Sequence, residues 1–138
     1  MFRILLVDDM ASDRKLLRDA LEHRGAQVTE AATDVDAYEA LAAANRQDFD
    51  LLLTDINLGV GTTGFDVARA ARRAIPDLPI VYMTAHDIDM EAHALEGALC
   101  LHKPMRILGL ADQVLDYAAA RRAHGGRVAS EDDGALTA

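Results

Sequence analysis

The feature that most constrains the fold is a set of short, continuous apolar runs separated by segments with helical periodicity. Four such runs lie at residues 4–7, 51–53, 80–83 and 99–101. Apolar residues in these runs do not alternate with polar ones, which is typical of strands buried on both faces of a parallel sheet. A fifth candidate, around residues 27–29, is more polar and is predicted to be an edge strand.

Helical periodicity fills the segments between the runs. The first helix is predicted at residues 12–24, with Leu16 and Leu17 on its inward face and Gly25 as its C-cap. The second begins at Thr33-Asp34 and carries Val35 inward. The remaining three are predicted at residues 65–74, 87–96 and 106–122.

Strand and helix thus alternate five times, which predicts an α/β fold with helices on both faces of a parallel sheet. Because the second strand is the polar one, the flavodoxin-like strand order 2-1-3-4-5 is expected for this doubly wound, five-stranded sheet. One domain is predicted at residues 1–122. A flexible acidic tail is expected at residues 123–138, with no output domain after it.

Composition excludes several functional classes. About half of the 138 residues are apolar (51%), so the chain is predicted to be globular. The single cysteine, Cys100, excludes an internal disulfide framework and a multi-cysteine zinc site, and no apolar run approaches membrane-spanning length. With 23 acidic against 14 basic residues the net charge is −9, which disfavours nucleic acid as a partner. A cytoplasmic protein without membrane contact is predicted.

Polar residues follow the apolar runs where each predicted strand ends. Asp8 and Asp9 follow the first run, Asp55 the next, Thr84 the one after and Lys103 the last. Each of them alone is common as a turn or helix cap. Ligands of an open parallel sheet bind outside the carboxyl ends of its strands, so their coincidence at that edge predicts a functional site.

Three carboxylates at one edge repel one another unless one is protonated or a cation is bound. A set of oxygen ligands without His or Cys favours a hard cation, which predicts Mg²⁺ or Mn²⁺. The hydroxyl of Thr84 and the ammonium of Lys103 are then left to face an incoming phosphoryl group. A carboxylate such as that of Asp55 is a competent nucleophile toward phosphorus.

With these residues the chain resembles the receiver domain of two-component response regulators over about residues 3–122. The resemblance rests on Asp8-Asp9, on Asp55 within Leu-Leu-Thr-Asp-Ile-Asn-Leu, on Thr84-Ala85 and on Lys103-Pro104. It implies a phosphorelay protein that is phosphorylated on Asp55 by a histidine kinase, a histidine phosphotransfer protein or a small acyl phosphate. It also implies a stand-alone regulator, monomeric or weakly dimeric, that acts on a downstream protein target. Such a protein is not an enzyme beyond its own phosphorylation and autodephosphorylation.

The resemblance also implies individual roles. Asp9, Asp55 and the backbone carbonyl of Asn57 would ligate Mg²⁺, with Asp8 acting mainly through water. Lys103 would pair with the phosphoryl group, and Thr84 would move to bond it. The peptide between Lys103 and Pro104 is expected to be cis.

Two departures from the family pattern and one further residue affect these expectations. Receivers usually carry Tyr or Phe where this chain has Cys100, so a weaker response of the distant surface is expected. The segment at residues 59–64 is longer than the usual turn and lacks its proline, which predicts a flexible loop. His86, two residues past Thr84, is predicted to tune the attack of water on the phosphorylated state.

Two other functions remain open from the sequence. Haloacid-dehalogenase-like phosphatases also combine a nucleophilic Asp, Mg²⁺ and a Lys, but they normally place a second Asp where this chain has Asn57. A non-phosphorylated interaction module would be expected to have lost an acid, the lysine or the threonine. None of these is lost.

Overall fold

A computed structural model describes residues 2–43, 48–58, 63–84, 95, 97–102 and 107–129. The strands are β1 (Arg3–Val7), β2 (Gln27–Ala31), β3 (Leu51–Asp55), β4 (Ile80–Thr84) and β5 (Leu99–His102). The helices are α1 (Ala11–His23), α2 (Asp34–Ala43), α3 (Gly64–Ala74) and α4 (Ile107–Ala129). The helix predicted at residues 87–96 lies outside the described residues, apart from Leu95.

The five strands form one parallel sheet in the order β2-β1-β3-β4-β5, so the predicted flavodoxin-like topology is confirmed. One apolar cluster packs between one face of the sheet and helices α2 and α3. A second cluster packs between the other face and helices α1 and α4. The doubly wound arrangement follows from strands that are apolar on both sides.

The three inner strands differ from the two at the edges. Every residue of β3 and β4 is buried, as the continuous apolar runs predict. The polar strand β2 lies at one edge, as predicted. The apolar strand β5 lies at the other edge, and its residues Leu99 and Cys100 are only half-buried. An apolar run therefore does not by itself identify an inner strand.

Helix α1 ends where the sequence predicts. Gly25 has a φ of 92°, in the left-handed region that favours glycine. Its N–H donates to the carbonyl of Glu22 at 3.0 Å, and Ala26 donates to that of Leu21 at 3.1 Å. This pair of bonds satisfies the last carbonyls of the helix and turns the chain into β2.

Leu17 is buried as predicted, whereas the predicted inward placement of Leu16 in α1 and of Val35 in α2 was wrong. Leu16 is 53% exposed and Val35 is 58% exposed. Successive helical residues are about 100° apart, so a stripe centred on Leu17 and Leu21 leaves Leu16 facing outward. Helix α2 likewise buries residues four apart, Ala37 and Leu41.

Helix α4 continues past the predicted end at Arg122 as far as Ala129, so the predicted tail does not begin at residue 123. Gly125 and Gly126 each disfavour a helix by about 1 kcal/mol, less than the penalty of about 3 kcal/mol for proline, and α4 continues through both. Although α4 has 23 residues, neither it nor any other helix in the described ranges combines the length and apolarity needed to span a bilayer.

Candidate functional site

The acidic site is built where the two central strands end. Val7 of β1 pairs with Thr54 of β3, so the next residues of the two strands, Asp8 and Asp55, leave the sheet side by side. One carboxylate oxygen each from Asp8, Asp9 and Asp55 lies within 4.8 Å of the other two. Asp8 is fully buried and Asp55 is 9% exposed, whereas Asp9 faces solvent. The three acids predicted to meet are therefore brought together.

Asp8 is held through its backbone and its carboxylate. Its N–H donates to the carbonyl of Ala31 at the end of β2, at 3.2 Å. Its Oδ1 accepts from the N–H of Met10 at 2.9 Å, which closes the turn into α1. Its carbonyl accepts from Nη1 of Arg14 at 2.7 Å. The turn that carries Asp8 and Asp9 is thus fixed from both sides.

Asp55 is held by the residues on either side of it. The N–H of Asn57 donates to Asp55 Oδ1 at 3.1 Å, and the hydroxyl of Thr54 donates to the Asp55 carbonyl at 2.9 Å. Ile56 donates to the carbonyl of Met83 at 3.0 Å and so extends the pairing of β3 with β4. Asn57 is exposed and forms an isolated antiparallel bridge with Thr63. These bonds orient the carboxylate outward from a buried strand.

Helix α3 begins against the backbone of Asp55. Thr63 and Asp66 form a capping box at its N-terminus. Gly64 donates to the carbonyl of Ile56 at 2.7 Å, and a Cβ at Gly64 would lie 2.3 Å from the carbonyl oxygen of Asp55. Only glycine fits this approach. Sequence reasoning missed this contact, although the Thr-x-x-Asp spacing signals the start of the helix.

Charge repulsion is the main electrostatic feature of the site. Three carboxylates within 4.8 Å of one another repel each other, and a bound cation would offset that repulsion. Among the residues that the structure describes, the cluster offers carboxylate oxygens, which fit Mg²⁺ or Mn²⁺ better than soft or nitrogen-preferring metals. The residues present therefore suit the predicted metal.

Arg14 is a second contact that sequence reasoning missed. It bonds Asp8 on one side and Glu30 of β2 on the other, with Nε 2.9 Å from Glu30 Oε1. Arg18 also donates to Glu30. The bond from Arg18 lowers the pKa of Glu30 below its ordinary value, and the bond from Arg14 lowers the same pKa by a smaller amount. No local signal in the sequence links Arg14 to Glu30, which lies 16 residues away.

Of the remaining predicted site residues, the structure describes Thr84 and Cys100. Thr84 is 1% exposed and follows Met83, which pairs with Asp55, so it ends its strand beside the acidic site. Cys100 is half-buried, and burial raises the pKa of its thiol. The predictions for His86, Lys103 and Pro104, including the cis peptide, lie outside the described residues.

The fold and the acidic cluster agree with a comparison with known families. The family model of the response regulator receiver domain matches residues 4–114. The chain belongs to this family. The resemblance noted from the sequence is thereby confirmed, and receiver domains are the modules of two-component systems that receive phosphate from histidine kinases.

Individual relatives of this receiver domain differ in length. The response regulator receiver protein CpdR of Brucella abortus is 35% identical over 117 residues, which cover 83% of this chain and 94% of CpdR. The luminescence regulatory protein LuxO of Vibrio campbellii is 38% identical over 91 residues, which cover 65% of this chain. The matched region spans only 19% of LuxO.

Solved structures share the fold over nearly their whole length. A response regulator receiver protein from Sinorhizobium medicae superposes with a TM-score of 0.77 at 30% identity, covering 87% of this chain and 96% of that one. The receiver domain of the hybrid histidine kinase CckA superposes with a TM-score of 0.71 at 28% identity, covering 84% and 98%. The receiver domain described here is thus similar both to free-standing receivers and to receivers within larger proteins.

Proposed function

We propose that this receiver domain accepts a phosphoryl group on Asp55 in a Mg²⁺-dependent reaction and signals through protein contacts. The observation that carries the proposal is the convergence of the Asp8, Asp9 and Asp55 carboxylates within 4.8 Å. A purely structural role does not account for three acids at the carboxyl edge of a sheet, because their mutual repulsion costs stability. Membership of the receiver family supports the same reading.

Asp55 is the proposed nucleophile. One of its carboxylate oxygens attacks the phosphorus of a phosphohistidine, a P–O bond forms, and the P–N bond breaks. The imidazole of the donor leaves with the electron pair and takes a proton from solvent. The Asn57 N–H bond to Asp55 Oδ1 restricts rotation of the carboxylate, which supports attack by the other oxygen.

Asp8, Asp9, Asp55 and the backbone carbonyl of Asn57 are the proposed holders of the metal. When bound, the ion neutralises negative charge on the carboxylates and on the phosphoryl group. The burial of Asp8 and the exposure of Asp9 support different roles for them, with Asp8 acting through water and Asp9 directly. The proposed ligands come from the ends of β1 and β3, two neighbouring strands.

Thr84 and Lys103 are proposed to meet the oxygens of the bound phosphoryl group. The position of Thr84 at the end of β4, next to β3, supports its part of this role. His86 is proposed to influence how long the phosphorylated state lasts, and Cys100 to weaken the response at a distance. The expected cis peptide between Lys103 and Pro104 would set the direction of the Lys103 side chain.

The proposed biological context follows from the family. This receiver domain is proposed to act in the cytoplasm, with a histidine kinase or phosphotransfer protein as donor and a protein target as recipient of the signal. The match over 94% of CpdR supports a single-domain response regulator. The net charge of −9 supports output through protein rather than nucleic acid. Neither the phosphatase nor the non-phosphorylated alternative gains support from the comparisons.

Acetyl phosphate with Mg²⁺ tests the proposal. Intact mass is expected to show one added phosphoryl group in the wild type and none in Asp55→Asn. Asp19→Asn, which removes an exposed carboxylate of α1 outside the cluster, is the matched control and should be phosphorylated normally. An Asp55→Asn variant that gains a phosphoryl group in equal yield would refute the assignment.

A further inference from the structure

Arg14 lies directly behind the acidic site and takes no part in the phosphoryl transfer proposed above. Its Nη1 donates to the carbonyl oxygen of Asp8 at 2.7 Å, and its Nε donates to Glu30 Oε1 at 2.9 Å. The side chain is only 16% exposed. A guanidinium that makes two bonds in different directions holds a fixed orientation, because its donors lie in one rigid plane.

These bonds close a ring between three elements. Arg14 belongs to the first turns of α1, Asp8 follows β1, and Glu30 lies in β2. The ring is completed by the bond from the N–H of Asp8 to the carbonyl of Ala31, which follows Glu30. The turn that carries the acids is therefore tied to the neighbouring strand through Arg14.

We propose that Arg14 is a positioning residue that sets the direction of the Asp9 carboxylate, and with it the affinity of the site for Mg²⁺. The carbonyl that Arg14 holds belongs to the peptide joining Asp8 to Asp9. Asp9 faces solvent, so packing does little to restrict its side chain, and the orientation of this peptide decides where it leaves the backbone. The inference rests on the proposed metal-dependent function.

Electrostatics alone makes the opposite prediction. A guanidinium bonded to the Asp8 carbonyl adds positive charge close to the acidic cluster, so on electrostatic grounds its removal would strengthen the binding of a divalent cation. Loss of positioning would weaken that binding, because groups that orient metal ligands typically contribute about 10- to 100-fold to metal affinity. The sign of the change in affinity therefore separates the two roles of Arg14.

Arg18 provides a matched control. It lies one turn further along α1, is 44% exposed, and also bonds Glu30, in addition to Glu22. Replacing Arg18 with Met removes one positive charge and one partner of Glu30 while keeping the bond from Arg14 to Asp8. Both variants thus lose a positive charge and a bond to Glu30, but only Arg14→Met loses the bond to the Asp8 carbonyl.

Calorimetric titration of the full chain with Mg²⁺ tests the proposal, with urea unfolding in the absence of metal as a second measurement. Arg14→Met is expected to bind Mg²⁺ about tenfold more weakly than the wild type, and Arg18→Met to stay within about twofold of it. Arg14→Lys should bind Mg²⁺ more tightly than Arg14→Met but more weakly than the wild type, because a lysine ammonium lacks the rigid planar donors with which Arg14 holds both Asp8 and Glu30. With acetyl phosphate, Arg14→Met should need more Mg²⁺ but approach the wild-type rate at saturation.

Equal or tighter Mg²⁺ binding by Arg14→Met would overturn the proposal, and so would equal weakening in Arg14→Met and Arg18→Met. If Arg14→Met does not fold, wild-type affinity in Arg14→Lys would overturn it as well. A wild-type protein that binds no Mg²⁺ would refute the proposed function together with this inference. A wild type that binds Mg²⁺, with Arg14→Met equal to it, would refute this inference alone.

Discussion

The two halves of the carboxyl edge of the sheet are built differently. The acidic half lies on β1 and β3, which have strands on both sides, and Asp8 and Asp55 are buried there with defined hydrogen bonds. The other half lies on β4 and β5, and β5 is an edge strand whose residues Leu99 and Cys100 are half-buried. The acids thus follow two inner strands, whereas the other half includes an edge strand that is less buried.

The last residues of β3 and β4, Asp55 and Thr84, continue opposite faces of the sheet. Side chains alternate along a strand, so Asp8 and Asp55 continue the face that packs on α1 and α4. Thr84 continues the face of Tyr82, which packs on α2 and α3 together with the half-buried Cys100.

Tyr82 supplies a buried ring close to the place where the family usually has one. It pairs with Cys100 across the sheet, and its ring centroid lies 5.0 Å from that of Phe65 at an interplanar angle of 57°. Its hydroxyl accepts a hydrogen bond from the N–H of Leu95 at 3.4 Å. Tyr82 is thus a buried aromatic side chain on the strand next to Cys100, fixed by Phe65 and Leu95.

The largest effect is expected at the contact between α3 and the acidic half. Gly64→Ala should destabilise the protein by about 3 kcal/mol, because the new Cβ would meet the Asp55 carbonyl at 2.3 Å. Gly109→Ala, whose Cβ would meet no atom within 4 Å, is the control and should stabilise α4 by about 0.5 kcal/mol. Urea unfolding measures both. Equal effects in the two variants would contradict the tight contact at Gly64.

The next effect concerns repulsion within the acidic half. Asp9→Asn should stabilise the metal-free protein by about 1 kcal/mol, because it removes one of three mutually repelling charges. Mg²⁺ at 100 times its dissociation constant should stabilise the wild type by about 2.7 kcal/mol and Asp9→Asn by much less. Thermal melts with and without Mg²⁺ test this, with Asp19→Asn as the control. An unchanged metal-dependent shift in Asp9→Asn would show that Asp9 is not a ligand.

A smaller effect is expected in the β4–β5 half. Tyr82→Phe should lower the free energy of unfolding by about 1 kcal/mol, because it loses the bond to the Leu95 N–H while the ring stays in place.

Because a thiol fills less space than an aromatic ring, beryllofluoride should cause only small amide shifts across residues 100–115. Chemical shifts of the free and beryllofluoride-bound protein measure this response. Large shifts across residues 100–115 that Thr84→Ala abolishes would show that Thr84 still transmits the change to these residues when position 100 is a cysteine.

The smallest effect concerns the chemistry of Cys100. Burial raises the pKa of its thiol, so the reactive thiolate forms at higher pH than in an unfolded chain. Alkylation by iodoacetamide near pH 8 should therefore be slower in the folded protein than in urea, and its rate should rise at higher pH. Intact mass over time measures the reaction. Equal rates in the two states would contradict the burial of the thiol.

Much of this fold could be predicted because its signals are local. Continuous apolar runs identify strands, and the residue that follows each run identifies what reaches the carboxyl edge. Asp8, Asp9 and Asp55 were predicted to meet on this basis, and the structure brings them together. The end of α1 at Gly25 was predictable for the same reason, because its signal lies within a few residues.

Only the tertiary structure decided which residues support that site. The bond from Arg14 to Glu30 joins α1 to β2, and the approach of Gly64 to Asp55 depends on how α3 packs against β3. Likewise, the exposure of Leu16 depends on how α1 is rotated against the sheet. The sequence by itself thus determined the order of the elements and the residues at their ends, through local periodicity and turn chemistry. Contacts between elements depend on the packing of the whole core, and no local pattern encodes that packing.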